Sequence, residues 1–174
     1  MRAVLTRVDS ASVAIDGAVK SSIGKGFLVL LGVHADDEEK EAVKIADKIC
    51  GLRIFEDEAG KMNVNPADAG AELLIISQFT LFADCKSRRP GFSKAARPEK
   101  AIPLYEKVIE ECRERGFKVG TGEFGAEMKV EELKEMVWRY FMSYWNNRRI
   151  CTANGGLPPM VKRQKYYASI ENAA

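Results

Sequence analysis

Histidine is nearly absent from this 174-residue chain: there is one, His34. A serine, cysteine or threonine nucleophile normally needs a neighbouring base. A single imidazole after an apolar run and ahead of an acidic stretch therefore gives a Ser-His-Asp or Cys-His arrangement weak support, and a surface loop histidine is the ordinary reading. Cysteine is also scarce. Cys50, Cys85, Cys112 and Cys151 are widely spaced with no Cys-x-x-Cys pair, which argues against a structural zinc site, and no metal or other cofactor is expected. Cys50 and Cys112 fall on apolar helix faces, where small buried thiols are common. No apolar run approaches the roughly 20 residues that span a bilayer. The opening Met1-Arg2-Ala3-Val4 moves straight into strand-like sequence without a signal-peptide pattern. A cytoplasmic protein with no membrane partner is expected, a setting in which disulfides are rare.

What is present is an ordinary globular composition, 46% hydrophobic, in a chain long enough for one domain with its own core. Charge is uneven along it. From residue 139 to the end six basic residues face one acid, Glu171, so this tail carries +5 and the remainder −3. Attraction to nucleic acid by bulk charge would come from the tail, and elsewhere from local clusters such as Lys86, Arg88 and Arg89. A DNA partner is not expected.

Residues 2–8 and 11–15 read as strands by β-branched content and partial alternation, joined by a turn at Asp9-Ser10, and Asp16-Gly17 leads to a third strand at 18–22. Residues 26–33 are apolar throughout, which predicts a central strand covered on both faces. Asp36 with Glu39 resembles a capping box for a helix carrying Ala42, Ile45, Ala46, Ile49 and Cys50 at helical spacing and ending at Gly51. Residues 52–55 read as a short strand and 56–65 as a surface connection. Pro98 opens a second helix with an apolar face of Leu104, Tyr105, Val108, Ile109 and Cys112, stopped at Gly116. Gly120, Gly122 and Gly125 fit no phosphate-binding pattern, and close packing against backbone or a ligand explains them better. From Glu131 the character changes: residues 136–145 are crowded with aromatics and 146–174 show little periodicity.

The chemistry centres on residues 73–81, Leu-Leu-Ile-Ile-Ser-Gln-Phe-Thr-Leu. Four apolar residues make a buried strand, and the run then turns polar at Ser77, Gln78 and Thr80 around Phe79, which delivers hydroxyl and amide groups to the rim of a sheet. Such groups commonly satisfy backbone where a strand leaves the core. With no convenient base, catalysis can instead come from backbone donors aimed at a carbonyl oxygen, and Phe79 and Thr80 are the positions where free N–H groups could serve. The neighbouring segment Arg88-Arg89-Pro90-Gly91-Phe92-Ser93 has the arginine and aromatic content to hold a phosphate and stack on a base, although a solvated loop with one anchoring Phe is the more common case.

Ser77-Gln78-Phe79-Thr80-Leu81 resembles the signature of the D-aminoacyl-tRNA deacylases. Further segments fit that family in order: Arg7-Val8 with Ala11-Ser12-Val13, the Gly26 to Val33 run, Arg53-Ile54-Phe55, Gly60-Lys61-Met62-Asn63, Arg89-Pro90 with Phe92-Ser93, and Thr121-Gly122 with Phe124-Gly125-Ala126 and Met128. The resemblance covers residues 1 to about 130. It implies an α+β fold of mainly antiparallel β-sheets forming a barrel-like core with two principal helices, assembled as a homodimer. The implied reaction is hydrolysis of the ester between a D-amino acid and the terminal adenosine of tRNA. By positional transfer Ser77, Gln78, Phe79 and Thr80 would lie at the reacting carbonyl, with Arg7, Ala101 and Phe124 near the pocket. Thr80 could act as nucleophile. The preferred arrangement has the Phe79 and Thr80 N–H groups polarising the carbonyl while the ribose 2′-hydroxyl assists water.

The family also carries, shortly after the Phe-Gly-Ala segment, an Asn-x-Gly-Pro-Val-Thr signature that reaches across the dimer to exclude L-amino acids. Here the corresponding residues are Glu131-Glu132-Leu133-Lys134-Glu135-Met136-Val137-Trp138, and no Gly-Pro dipeptide occurs in the chain. The nearest echo, Asn154-Gly155-Gly156-Leu157-Pro158-Pro159, is displaced. Residues 131–174 are thus expected to be an atypical tail, either a diverged C-terminus or the product of a reading-frame change near residue 131. The charge shift and lost periodicity favour the second. The alternative functional reading is a non-catalytic RNA-end-binding protein that keeps the fold but lacks the cross-subunit element; a folded core with a disordered tail and no activity is the blandest outcome.

Overall fold

The computed structural model describes residues 1–130; the aromatic segment 136–145, Cys151, the 154–159 echo and the basic tail lie outside the described residues. In chain order the elements are β1 (Arg2–Val8), β2 (Ala11–Ile15), β3 (Ala18–Ile23), β4 (Gly26–Gly32), α1 (Glu39–Gly51), β5 (Phe55–Glu56), β6 (Met62–Val64), β7 (Glu72–Ser77), a 3-10 turn (Phe79–Phe82), α2 (Pro98–Glu114), β8 (Val119–Thr121) and β9 (Met128–Val130). This is the mixed α+β class expected, with two α-helices among the described residues.

Strands β4 and β7 are the middle of a four-stranded sheet ordered β1-β4-β7-β8. Their residues alternate between two buried faces. Phe27, Val29, Leu31, Leu73 and Ile75 point to one core, where Ala42, Ala46 and Ile49 of α1 meet Tyr105, Val108 and Cys112 of α2. Leu28, Leu74 and Ile76 are equally buried on the other face, toward β3 of the three-stranded sheet β3-β2-β9. A strand covered on both sides needs the unbroken apolar run that the sequence shows.

Among the described residues four of the six strand pairings are antiparallel, as expected, but β4–β7 and β7–β8 are parallel. The cause is the connection: α1 lies between β4 and β7 and α2 between β7 and β8, and a helical crossover returns the chain in the same direction. The described sheets stay open and form no closed barrel.

Local differences from the sequence expectation have physical reasons. The capping box at α1 is built by Glu38 and Glu41, with Glu41 Oε2 accepting the Glu38 N–H at 2.9 Å, rather than by Asp36 and Glu39. Asp37 is drawn away instead: its carboxylate accepts the Met1 ammonium and the His34 N–H, each at 2.6 Å. The helix therefore starts late. The short strand after α1 begins only at Phe55, where the ring stacks on Phe27 at 4.9 Å, and its partner β6 falls inside the stretch read as a connection. Strand β7 stops at Ser77 rather than Leu81.

Candidate functional site

The end of β7 is fixed by its neighbours. Leu31 pairs with Ser77, and the Gln78 N–H makes one further bond to the Leu31 carbonyl at 2.8 Å. Gln78 then takes φ −142° and ψ 83°, and the chain folds into the 3-10 turn, where Leu81 N–H donates to the Gln78 carbonyl at 3.3 Å and Ala83 N–H to the Thr80 carbonyl at 3.0 Å. Gly32 makes room for this bend: a Cβ there would stand 3.0 Å from the Gln78 carbonyl oxygen and 3.2 Å from Leu81 Cβ.

Phe82 anchors the turn from below. It is buried, and its ring meets the His34 ring edge-on at 5.1 Å and lies 4.7 Å from the Arg2 guanidinium carbon. Arg2 Nη1 also donates to the Leu81 carbonyl at 2.8 Å. The antiparallel pairing of Arg2 with Gly32 brings it here. Arg2, Phe82 and His34 as supports of the turn were not foreseen in the sequence; a pairing of the first strand with 26–33 would have pointed to Arg2.

The outer side of the turn is open. Phe79 and Thr80 are exposed, and among the described residues neither backbone N–H has an acceptor, as expected for the first donors of a helical turn. The Gln78 side-chain amide donates to Thr80 Oγ1. Phe79 meets Phe92 edge-to-face with centroids 5.1 Å apart. Phe92 follows a small closed loop in which Asp84 and Gly91 exchange backbone hydrogen bonds of 2.7 and 3.0 Å, and which holds exposed Lys86, Arg88 and Arg89. Two adjacent unpaired N–H groups at the end of a rigid strand can donate to a carbonyl oxygen as negative charge develops on it.

His34 is poorly placed to act as a base. Its Nδ1 accepts the Asp36 N–H at 3.1 Å, which leaves the proton of the neutral ring on Nε2 as a donor.

Ala101 and Phe124 lie at the same end of the sheet as Ser77. Ala101 is buried in the first turn of α2. The pairing of β8 with β7 stops at Thr121 opposite Ile75, and Gly122 then passes so close to β7 that a Cβ would be 3.2 Å from Ile76 Cδ1, which sets Phe124 beside Tyr105 at 6.4 Å between centroids. Tyr105, buried, donates to the Ile75 carbonyl at 2.7 Å, and burial pushes its hydroxyl up to about 12. One face of α2, from Ile102 through Tyr105 and Ile109 to Glu114, and residues 121–124 border a groove of ≈ 870 Å³. Gly120 and Gly122 are closely packed, but against side chains rather than backbone or a ligand, a Cβ colliding with Ser21 Oγ at the first and Met128 Sδ at the second; Gly125 has open space and a φ of +82°, so a turn and not packing calls for glycine there.

Arg7 is not brought to this end within the chain. It pairs with Phe27, four residues back along β4 from Leu31, about 13 Å at strand rise. There it donates to the Ile54 carbonyl and to Glu56 Oε1, both at 3.1 Å.

A sequence profile described as D-Tyr-tRNA(Tyr) deacylase matches residues 4–135. A D-aminoacyl-tRNA deacylase of Clostridioides difficile (strain 630) is 54% identical over 132 residues, covering 75% of this chain and 89% of that protein, and one of Anaeromyxobacter dehalogenans (strain 2CP-C) shows the same identity and coverage. Among solved structures, a c-Myc DNA Unwinding Element Binding Protein superposes with a TM-score of 0.71 at 39% identity, covering 76% of this chain and 91% of its own. A probable eukaryotic D-amino acid tRNA deacylase superposes with a TM-score of 0.65 at 15% identity, covering 75% and 93%, which speaks to fold. With a profile matched over most of its length and relatives at half identity, the chain belongs to the D-Tyr-tRNA(Tyr) deacylase family.

Proposed function

We propose that the chain is a hydrolase that cleaves the ester of D-aminoacyl-tRNA, releasing the free D-amino acid and tRNA. The observation that carries the catalytic reading is the pair of adjacent unpartnered N–H groups of Phe79 and Thr80 at the open end of β7. The ester carbonyl sits against these donors. Water, oriented by the ribose 2′-hydroxyl of the terminal adenosine, adds to the carbonyl carbon, the two N–H groups hold the tetrahedral oxyanion, and on its collapse the C–O bond to the ribose 3′-oxygen breaks while the proton given up by the water passes by way of the 2′-hydroxyl to that departing oxygen. Thr80 Oγ1, engaged by the Gln78 amide, shapes the rim and is not the nucleophile. Ser77 borders the same rim, Ala101 and Phe124 flank it, and the basic loop of Lys86, Arg88 and Arg89 takes phosphates of the acceptor arm.

The protein works in the cytoplasm as a homodimer, and Arg7, remote from Ser77 within one subunit, takes part in a site through the second copy. Because the chain has no Gly-Pro dipeptide, discrimination against L-esters is relaxed relative to the family. Incubation of the purified chain with matched D- and L-aminoacyl-tRNA tests both statements. The D-ester should disappear faster than in buffer and the L-ester should be cleaved measurably. Loss of the D-ester at the buffer rate removes the enzymatic reading, and if the ester is then protected stoichiometrically, with affinity falling in salt, the chain is an RNA-end-binding protein. Full rejection of the L-ester contradicts the relaxed selectivity.

A further inference from the structure

Away from the rim, the two helices place a pair of thiols in reach of each other. Both helices start at one end of the sheet, where His34 bridges to Ala95 and Lys100 Nζ donates to the Ala35 carbonyl at 2.5 Å. They cross over the same core in the same direction, with Ala42, Ala46 and Ile49 of α1 packed in one cluster with Tyr105, Val108 and Cys112 of α2. Small residues at positions 42 and 46 allow close approach of the axes. The next residue on that row is Cys50, in the last turn of α1, and Cys112 stands in the last turn of α2.

The two are unlike. Cys112 is fully buried and Cys50 half-buried, both as free thiols. Cys50 packs against the cluster that holds Cys112, and each thiol is the foremost influence on the other's ionisation. Arg115, held by Glu111 at 2.6 Å, contributes positive charge beside them, and Asp47 opposes it.

We propose that Cys50 and Cys112 are a hydroperoxide-sensitive pair that closes into a reversible disulfide tying the ends of α1 and α2 together, with Cys50 attacking and Cys112 resolving. The Cys50 thiolate attacks one peroxide oxygen: the S–O bond forms, the O–O bond breaks, and the leaving alkoxide or hydroxide takes up a proton. Cys50 is then a sulfenic acid. The Cys112 sulfur attacks the Cys50 sulfur, the S–S bond forms, the S–O bond breaks, and the departing hydroxide leaves as water with the Cys112 proton. Two electrons pass from the two thiols to the peroxide, and an external dithiol returns them.

The division of roles follows from the surroundings. The neighbouring Cys112 thiol and the charge of Arg115 hold the Cys50 thiol below its ordinary range, against burial and Asp47, while the Cys50 sulfur and burial push Cys112 up. A low, partly exposed thiol with a neighbour to resolve it is the pattern of a redox-sensing cysteine, and disulfides in reducing compartments are mostly of this transient kind.

Oxidation of the full chain with stoichiometric hydrogen peroxide at neutral pH, followed by alkylation, digestion without reductant and peptide mass mapping, tests the proposal. The expected product is a Cys50–Cys112 cross-linked peptide that reverts to two alkylated peptides after dithiothreitol. In Cys112→Ser the reaction should stop at a Cys50 sulfenic acid trapped by dimedone. Before oxidation, iodoacetamide should label Cys50 at least tenfold faster than Cys112. The wild-type map stands even if that variant fails to fold. Cys50 recovered as a sulfinic acid with Cys112 still reduced, Cys50 joined instead to Cys85 or Cys151, or both thiols left unoxidised would each overturn it.

Discussion

At Phe79 and Thr80 the reaction is assigned to atoms that every residue has, the backbone N–H, and the side chains are given the lesser part. This separates two substitutions at one position. Phe79→Ala removes the ring and its contact with Phe92 but keeps the donor. Phe79→Pro removes the donor, in a turn whose first position accepts proline and after a Gln78 that lies outside the α region. The proline variant should lose about 10²- to 10³-fold in single-turnover rate, the usual effect of deleting one oxyanion donor, and the alanine variant much less. Equal rates in the two variants would show that the Phe79 donor is not used. Sequence alone pointed to these residues because a strand that turns polar at its end is visible in the order of side chains. The 3-10 turn that frees the donors was not, since it depends on Gly32 and Phe82, residues that touch it from another strand and from beneath.

Among elements, the packing of α2 on β7 is tied by one polar contact in the apolar core, the Tyr105 hydroxyl on the Ile75 carbonyl. Tyr105→Phe removes a buried hydrogen bond worth about 1 kcal/mol, a fall of roughly 2–4 °C in melting temperature for a chain of this size. The phenol also gives the fold an alkaline limit. Its folded value lies near 12 against an ordinary 10, so above about pH 10 the unfolded chain loses this proton while the folded chain keeps it. Stability contributed by the neutral phenol is therefore complete below about pH 10 and is lost as the pH rises toward 12. Urea midpoints measured from pH 9 to 11.5 should drop more steeply in wild type than in Tyr105→Phe; parallel curves would contradict the assignment. The helices and the first four strands were legible from periodicity and turn residues. What was not legible arose from tertiary competition: Asp37 serves the Met1 ammonium and His34, which moves the start of α1, and the helical crossovers make β4, β7 and β8 parallel.

For the whole molecule, the pieces that would meet tRNA lie together at one end of the main sheet: the open turn, the Phe79–Phe92 pair and the loop of Lys86, Arg88 and Arg89. Replacing both Arg88 and Arg89 with alanine should weaken tRNA binding for D- and L-esters alike and flatten the dependence of log K on log salt by about 1–2. An unchanged slope would place the acceptor arm elsewhere. Arg7 belongs to the opposite end of the sheet, so an effect of Arg7 on turnover would have to come from a second copy of the chain. The central claim, that backbone donors rather than a side-chain nucleophile carry the chemistry, is tested most directly by single-turnover hydrolysis of a D-aminoacyl-tRNA with wild type and Thr80→Val side by side. Removal of the hydroxyl with the N–H kept should leave the rate within about tenfold of wild type, far less than loss of a reacting group. A Thr80→Val chain that folds as wild type does and cleaves the ester no faster than buffer would contradict the account and make Thr80 the nucleophile.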